Sequence, residues 1–154
     1  MGLLRDEGKE SKMSGYKHIL LPTDFSEPSE AAAIRAMELA KACGAQLSVL
    51  TVVDYVPPGY IRVDIPEASA ENLATRARAA LSDWVKRLGI SAAKQWVEVG
   101  PAKQEIIKVA KDNRIDLIVM GSHGERGLGR LLGSTTNTVL HEAECDVLCV
   151  HPSA

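Results

Sequence analysis

Residues Asp116 to Asn137 read DLIVMGSHGERGLGRLLGSTTN. Leu117 to Met120 is a run of four apolar residues, the pattern of a short strand buried on both faces. Five glycines follow between Gly121 and Gly133, and the cluster Ser134-Thr135-Thr136-Asn137 opens a helix. Backbone N–H groups of a glycine loop, followed by the free N–H groups and positive dipole end of a helix, form a cradle for an anion. The rest of the chain is expected to build a sheet that presents this loop.

With 154 residues the chain is long enough for one domain with a proper core. Apolar residues make up 45% and charged residues 25%, which fits a globular protein rather than a disordered or membrane-embedded one. No apolar run is long enough to span a bilayer and the N-terminus lacks the apolar core of a secretion signal, so a cytoplasmic location with no membrane partner is expected. A formal net charge of −2 gives no general attraction for nucleic acid, so any anion must be held locally. The three cysteines, Cys43, Cys145 and Cys149, form no C-x-x-C pair and are expected to be buried reduced thiols.

Residues 1–15 are polar and read as a flexible N-terminal tail before a domain over 16–152, with Met13 a second candidate start. Ile19 to Leu21 makes strand one, stopped at Pro22. Ser26, Glu27 and Pro28 then open a helix over about 27 to 43 that Gly44 ends, with Ala33, Met37 and Ala40 at helical spacing. Gln46 to Val53 is strand two. Tyr55 to Pro66, with three prolines and a glycine, reads as a long loop and a functional rim. Helix two carries one stripe of Leu73, Ala77, Leu81, Trp84 and Leu88, with Trp84 assigned to the core. Gln95 to Val99 is a more polar strand three, expected at an edge. Gly100-Pro101 opens helix three with Ile106, Ile107, Val109 and Ala110 inward. Val139, Leu140 and Ala143 belong to a short last helix, and Val147 to Val150 is strand five. Strands alternating with helices imply an α/β fold, a single-domain open five-stranded parallel sheet with right-handed crossovers and helices on both faces.

Ligands of such sheets bind beyond the carboxyl ends of the strands, where the strand order reverses. Three features fall at carboxyl ends: Pro22-Thr23-Asp24, Val52-Val53-Asp54, and Gly121 onward. Asp24 there either accepts from ribose hydroxyls or caps helix one. The backbone at the end of strand two is placed to read an adenine edge. Arg126 and Arg130 either reach phosphates or stay solvated, and the glycines are either a cradle or turn residues. His123, one residue before Gly124, can donate to a phosphate or to the loop backbone. His18, His141 and His151 lack metal-like spacing and read as structural or exposed, so no metal site is expected. The G-x4-G-K-[ST] lysine of catalytic phosphate loops is missing, and no nucleophile with its base can be placed, so no catalytic residue is assigned.

Over Tyr16 to Pro152 the chain resembles a universal stress protein, through ILLPTDFSE near the start and DLIVMGSHG, GLGRLLGST and CDVLCV toward the end. The resemblance implies a Rossmann-like adenine-nucleotide-binding fold with strand order 3-2-1-4-5, which sets strands one and four side by side. Nucleotide-binding members carry G-x2-G-x9-G-[ST], a pattern that falls here on Gly121, Gly124, Gly133 and Ser134. Eight residues rather than nine separate Gly124 from Gly133, and Gly127 and Gly129 give the backbone freedom to absorb the difference. The resemblance further implies Thr23 and Asp24 near the ribose and adenine, the Val52 backbone at adenine, and Pro22, Met120, His123, Arg126, Arg130, Thr135 and Thr136 around the nucleotide. The expected cofactor is ATP or AMP, with ADP also fitting and magnesium an optional companion. It also implies a homodimer through the edge of strand five, a two-fold contact that closes on itself.

The leading function is a stress-response regulatory module that acts by binding an adenine nucleotide, with slow hydrolysis at most. The alternative is a dimeric interaction protein of the same fold that binds no nucleotide, to which the shorter loop points. A nucleotide hydrolase is a third reading. A receiver domain does not fit, because strand three ends Val99-Gly100 with no phosphoacceptor aspartate.

Overall fold

The two-residue period of the central strands sorts their side chains onto two faces, and both faces are covered. A computed structural model describes residues 15–54, 68–123 and 133–152. Among these the order is β1 (His18–Pro22), α1 (Glu27–Cys43), β2 (Gln46–Val53), α2 (Ala68–Leu88), β3 (Gln95–Val99), α3 (Ala102–Asp112), β4 (Leu117–Gly121), α4 (Ser134–Glu142) and β5 (Asp146–Val150). All strand pairs are parallel, in the order β3-β2-β1-β4-β5. The expected fold class, strand order and edge position of β3 are therefore observed.

Ile19, Leu21, Leu47, Val49, Leu117 and Val119 point to one core, which α1 and α2 complete with Ala32, Ala33, Ala36, Leu81 and Trp84. Leu20, Leu50, Ile118 and Met120 point to the other, closed by Ile106 and Val109 of α3 and Val139 of α4. Alternation of this kind follows from the pleat, and burial on both sides explains why these strands are apolar throughout.

Helix α1 begins where its sequence says it should. The Ser26 side chain accepts from the Ser29 N–H, Pro28 occupies the first turn, and Glu27 and Glu30 complement the helix dipole. It ends at Gly44, whose left-handed φ of 65° lets its N–H reach the carbonyls of Ala40 and Lys41. The buried side of α2 departs from the expected stripe. Ala74, Leu81, Trp84 and Val85 are buried, while Leu73 is 36% exposed. Leu73 and Ala74 are one residue, about 100°, apart on the helix, so a small rotation exchanges which of them faces the sheet. In α1 the expected Ala33 is buried together with Ala32 and Ala36, while Met37 and Ala40 are half-buried.

The three cysteines are free, but half-buried rather than buried. Cys43 sits at the end of α1, Cys145 just before β5, and Cys149 on the edge strand β5, positions where only one side of the residue is covered. No helix among the described residues is long and apolar enough to cross a membrane. The rim expected over residues 55–66 and the tail up to residue 14 lie outside the described residues.

On the α3 face, the His18 Nε2 lies 2.7 Å from the hydroxyl of the fully buried Ser48, with Trp96 alongside. Burial pushes the His18 pKa down, against the opposing pull of Asp116. The unfolded chain therefore binds a proton more readily than the folded one. His18 thus contributes stability that is complete above the ordinary imidazole pKa of about 6.5 and is lost as pH falls from there through its lowered folded value. Thermal unfolding between pH 7.5 and 5.5 is expected to show a falling midpoint that His18→Gln flattens; equal slopes in both proteins would refute the assignment.

Candidate functional site

Ladder geometry sets the carboxyl end of the sheet. Thr23 N–H donates to the Leu50 carbonyl at 2.8 Å, so the odd residues of β1 face β2 and the even ones face β4. The recorded β1–β4 pairs are Ile19 with Leu117 and Leu20 with Ile118. The next pair would need a donor at residue 22 facing β4, and Pro22 has none. Pairing therefore stops two residues before β1 itself ends. By the same alternation the Val52 peptide faces the β1 side, past the last paired residue Pro22. The β1 exit leads to α1 on one face and the β4 exit to α4 on the other, which makes β1/β4 the switch point of the sheet.

The turn out of β1 is heavily bonded. Thr23 is buried; its hydroxyl accepts from the Phe25 N–H at 2.9 Å, and its carbonyl accepts from the Thr51 hydroxyl at 2.9 Å. Asp24 is exposed, and its Oδ1 accepts from the Ser26 N–H at 3.1 Å, from the Ser29 hydroxyl at 2.7 Å and from the Ser26 hydroxyl. Asp24 is thus not itself the cap of α1: Ser26 is the cap, and Asp24 braces it.

The exit from β4 is equally determined. Ser122 is 1% exposed; its N–H donates to the Val150 carbonyl at 2.9 Å and its own carbonyl accepts from Gly133 N–H at 2.9 Å. The exit of β4 and the start of α4 are thereby pinned together. Thr136, 3% exposed, donates its hydroxyl to the Gly121 carbonyl at 2.8 Å, which ties α4 to the end of β4. His123 Nδ1 lies 3.0 Å from the Ser122 hydroxyl. Ser134 is exposed and Thr135 half-buried in the first turn of α4.

The helix ends differ in charge. Acidic residues occupy the first turns of α1, α2 and α3, whereas α4 has none and no side chain caps it among the described residues.

Of the residues expected at the site, Pro22, Thr23, Asp24, Val52, Met120, Gly121, His123, Gly133, Ser134, Thr135 and Thr136 lie at the carboxyl ends of β1, β2 and β4 or the start of α4. Met120 turns its side chain into the α3/α4 core and leaves only backbone for a ligand. Gly124, Arg126 and Arg130 lie outside the described residues. Sequence reasoning left out Ser29, Thr51 and Ser122, the partners that hold this end in shape. Ser122 had a signal, since it sits inside the glycine motif; Ser29 and Thr51 had only their closeness to the expected strand and helix ends. No group of three or more histidine, cysteine, aspartate or glutamate side chains suited to a metal occurs among the described residues.

Comparison with known proteins agrees with this fold. The chain matches the Universal stress protein family over residues 15–151. It is 37% identical over 138 residues to universal stress protein A homolog 1 of Coxiella burnetii, an alignment covering 88% of this chain and 96% of that protein. The solved structure of universal stress protein UspA from Lactobacillus plantarum superposes with a TM-score of 0.72 at 30% identity, covering 89% of this chain and 99% of the other. A universal stress protein crystallised in complex with cAMP superposes with a TM-score of 0.62 at 29% identity, covering 91% and 100% of the two chains.

Gly121 has a packing reason to be glycine. A β carbon there would lie 2.9 Å from both the carbonyl carbon and the β carbon of Pro28, and backbone cannot step aside as a flexible side chain can. Gly121→Ala is expected to lower stability by about 1–3 kcal/mol, the range for forced overpacking. Urea unfolding reads the change, and an unaltered midpoint would show that the first turn of α1 yields freely.

Proposed function

The chain belongs to the universal stress protein family, and from that membership we propose that it binds an adenine nucleotide, ATP, ADP or AMP, at the carboxyl ends of β1, β2 and β4. It acts by binding, as a regulatory module in a stress response, with slow hydrolysis at most. The observation that carries the reading is the start of α4: a helix end with no acid in its first turn and no side-chain cap among the described residues, tied to β4 through Thr136 and to Ser122 through Gly133, at the switch point of the sheet. The cAMP complex of a relative with the same fold supports an adenine ligand.

Each residue then has a part. The α4 amides and the Ser134 hydroxyl receive phosphate, with Thr135 beside them. Asp24, its carboxylate oriented through Oδ1, accepts from the ribose, and the Val52 peptide faces the adenine edge. Gly121, Gly133 and Thr136 shape the cradle, and His123, Gly124, Arg126 and Arg130 complete it toward the phosphates. Magnesium, if it takes part, arrives paired with the nucleotide's own phosphates.

Calorimetry with ATP, ADP and AMP is expected to give saturable heat for at least one, and no heat with any of them at millimolar concentration would defeat the proposal. Ser134→Asp places a carboxylate at the helix start, where it favours the helix but repels phosphate; affinity is expected to fall about tenfold or more while the unfolding midpoint holds or rises. We further propose a homodimer through β5, an edge strand with half-buried Val147, Leu148 and Cys149. Light scattering at micromolar concentration should give twice the chain mass, and the single mass would overturn the assembly alone.

A further inference from the structure

Phe25 is the sole phenylalanine of the chain and adopts a left-handed backbone with φ of 65°. A bulky residue pays a steric penalty there that glycine avoids, and such a conformation persists only where its surroundings impose it. Two contacts impose it here. The Phe25 N–H is held by the Thr23 hydroxyl at 2.9 Å. The ring packs edge-on against Trp84 of α2, with centroids 6.0 Å apart and planes at 73°, and joins the margin of the α1/α2 core.

Trp84 itself is 4% exposed, and its indole N–H has no hydrogen-bond partner among the described residues. It is therefore held in place by its ring faces and edges rather than by its polar group, and the Phe25 edge is one of those contacts. Asp24 immediately precedes Phe25, and the Ser26 N–H that donates to its Oδ1 immediately follows. A reversal of the chain at residue 25 is what brings that N–H and the Ser29 hydroxyl around onto the carboxylate.

We infer that Phe25 is a positioning residue for the nucleotide site: its ring, anchored on Trp84, locks the left-handed turn that orients the Asp24 carboxylate. The inference rests on the adenine-nucleotide reading for its effect on affinity, while its effect on the turn stands apart from that reading. It also links the site to α2 through Trp84.

The test compares the full chain with Phe25→Gly, which keeps the left-handed turn open to the backbone but removes the anchor, and with Phe25→Tyr, which keeps the ring. In Phe25→Gly the Ser26 amide is expected to exchange its hydrogen about tenfold faster while core amides such as Val109 are unchanged, because only the local turn is released. The Kd for ATP should rise about tenfold, the scale of one oriented hydrogen bond to a charged group. Phe25→Tyr should restore both values. In an Asp24→Ala background, Phe25→Gly should cost no further affinity, since the two act as one unit. An equal loss in that background, or unchanged Ser26 exchange in Phe25→Gly, overturns the inference. If the unaltered chain gives no heat with ATP, ADP or AMP, the nucleotide reading fails and Ser26 exchange alone decides the role of Phe25. Should Phe25→Gly not fold, Phe25→Leu keeps apolar bulk without the ring edge and is expected to show the same exchange change at smaller size.

Discussion

The carboxyl end of the sheet depends on one contact, the first turn of α1 lying against Gly121 at the end of β4 with no room for a β carbon between them. That contact brings the β1 exit and the β4 exit to one level, although their helices run on opposite faces. Pro22 adds to it by withholding the donor that would carry the β1–β4 ladder further. The result is the arrangement in which open α/β sheets accept ligands: two adjacent strands whose connections diverge.

Around this contact the two neighbouring helix starts are treated in opposite ways. The start of α1 is satisfied from within, by Ser26, by the braced Asp24, and by Glu27 and Glu30, the latter meeting Arg87 of α2 at 2.6 Å. The start of α4 carries no acid, and its hydroxyl at Thr136 is spent on Gly121 rather than on its own amides. One start carries acids that complement its dipole, and the other has none in its first turn. The start of α4 beyond β4 and the carboxylate of Asp24 beyond β1 thus stand across the same boundary, the pair of features on which the proposed nucleotide site is built.

Much of this was legible in the chain itself. The apolar runs of β1, β2 and β4, the Ser-Glu-Pro opening and Gly44 closing of α1, and the polar character of β3 are local signals, and the elements formed where those signals stand. The candidate site was legible as a set of strand ends and a glycine motif. Less was legible in the reasons. Gly121 reads in sequence as a residue that lets backbone approach phosphate, yet its crowded neighbour is Pro28. Thr136 reads as a ligand hydroxyl, yet it holds the helix to the strand. Leu73 reads as core, yet Ala74 takes its place, because an apolar stripe fixes a helix face only to within a residue.

The sequence by itself determined the order and approximate limits of the strands and helices and the parallel α/β class, because periodicity, caps and breakers act over a few residues. Only the tertiary structure decided that His18 meets Ser48, that Thr51 holds the Thr23 carbonyl, that Phe25 turns left-handed against Trp84, and that Pro28 covers Gly121. Each of these joins residues far apart in the chain, and their distances follow from how the helices settle on the sheet, a balance of packing that no local pattern encodes.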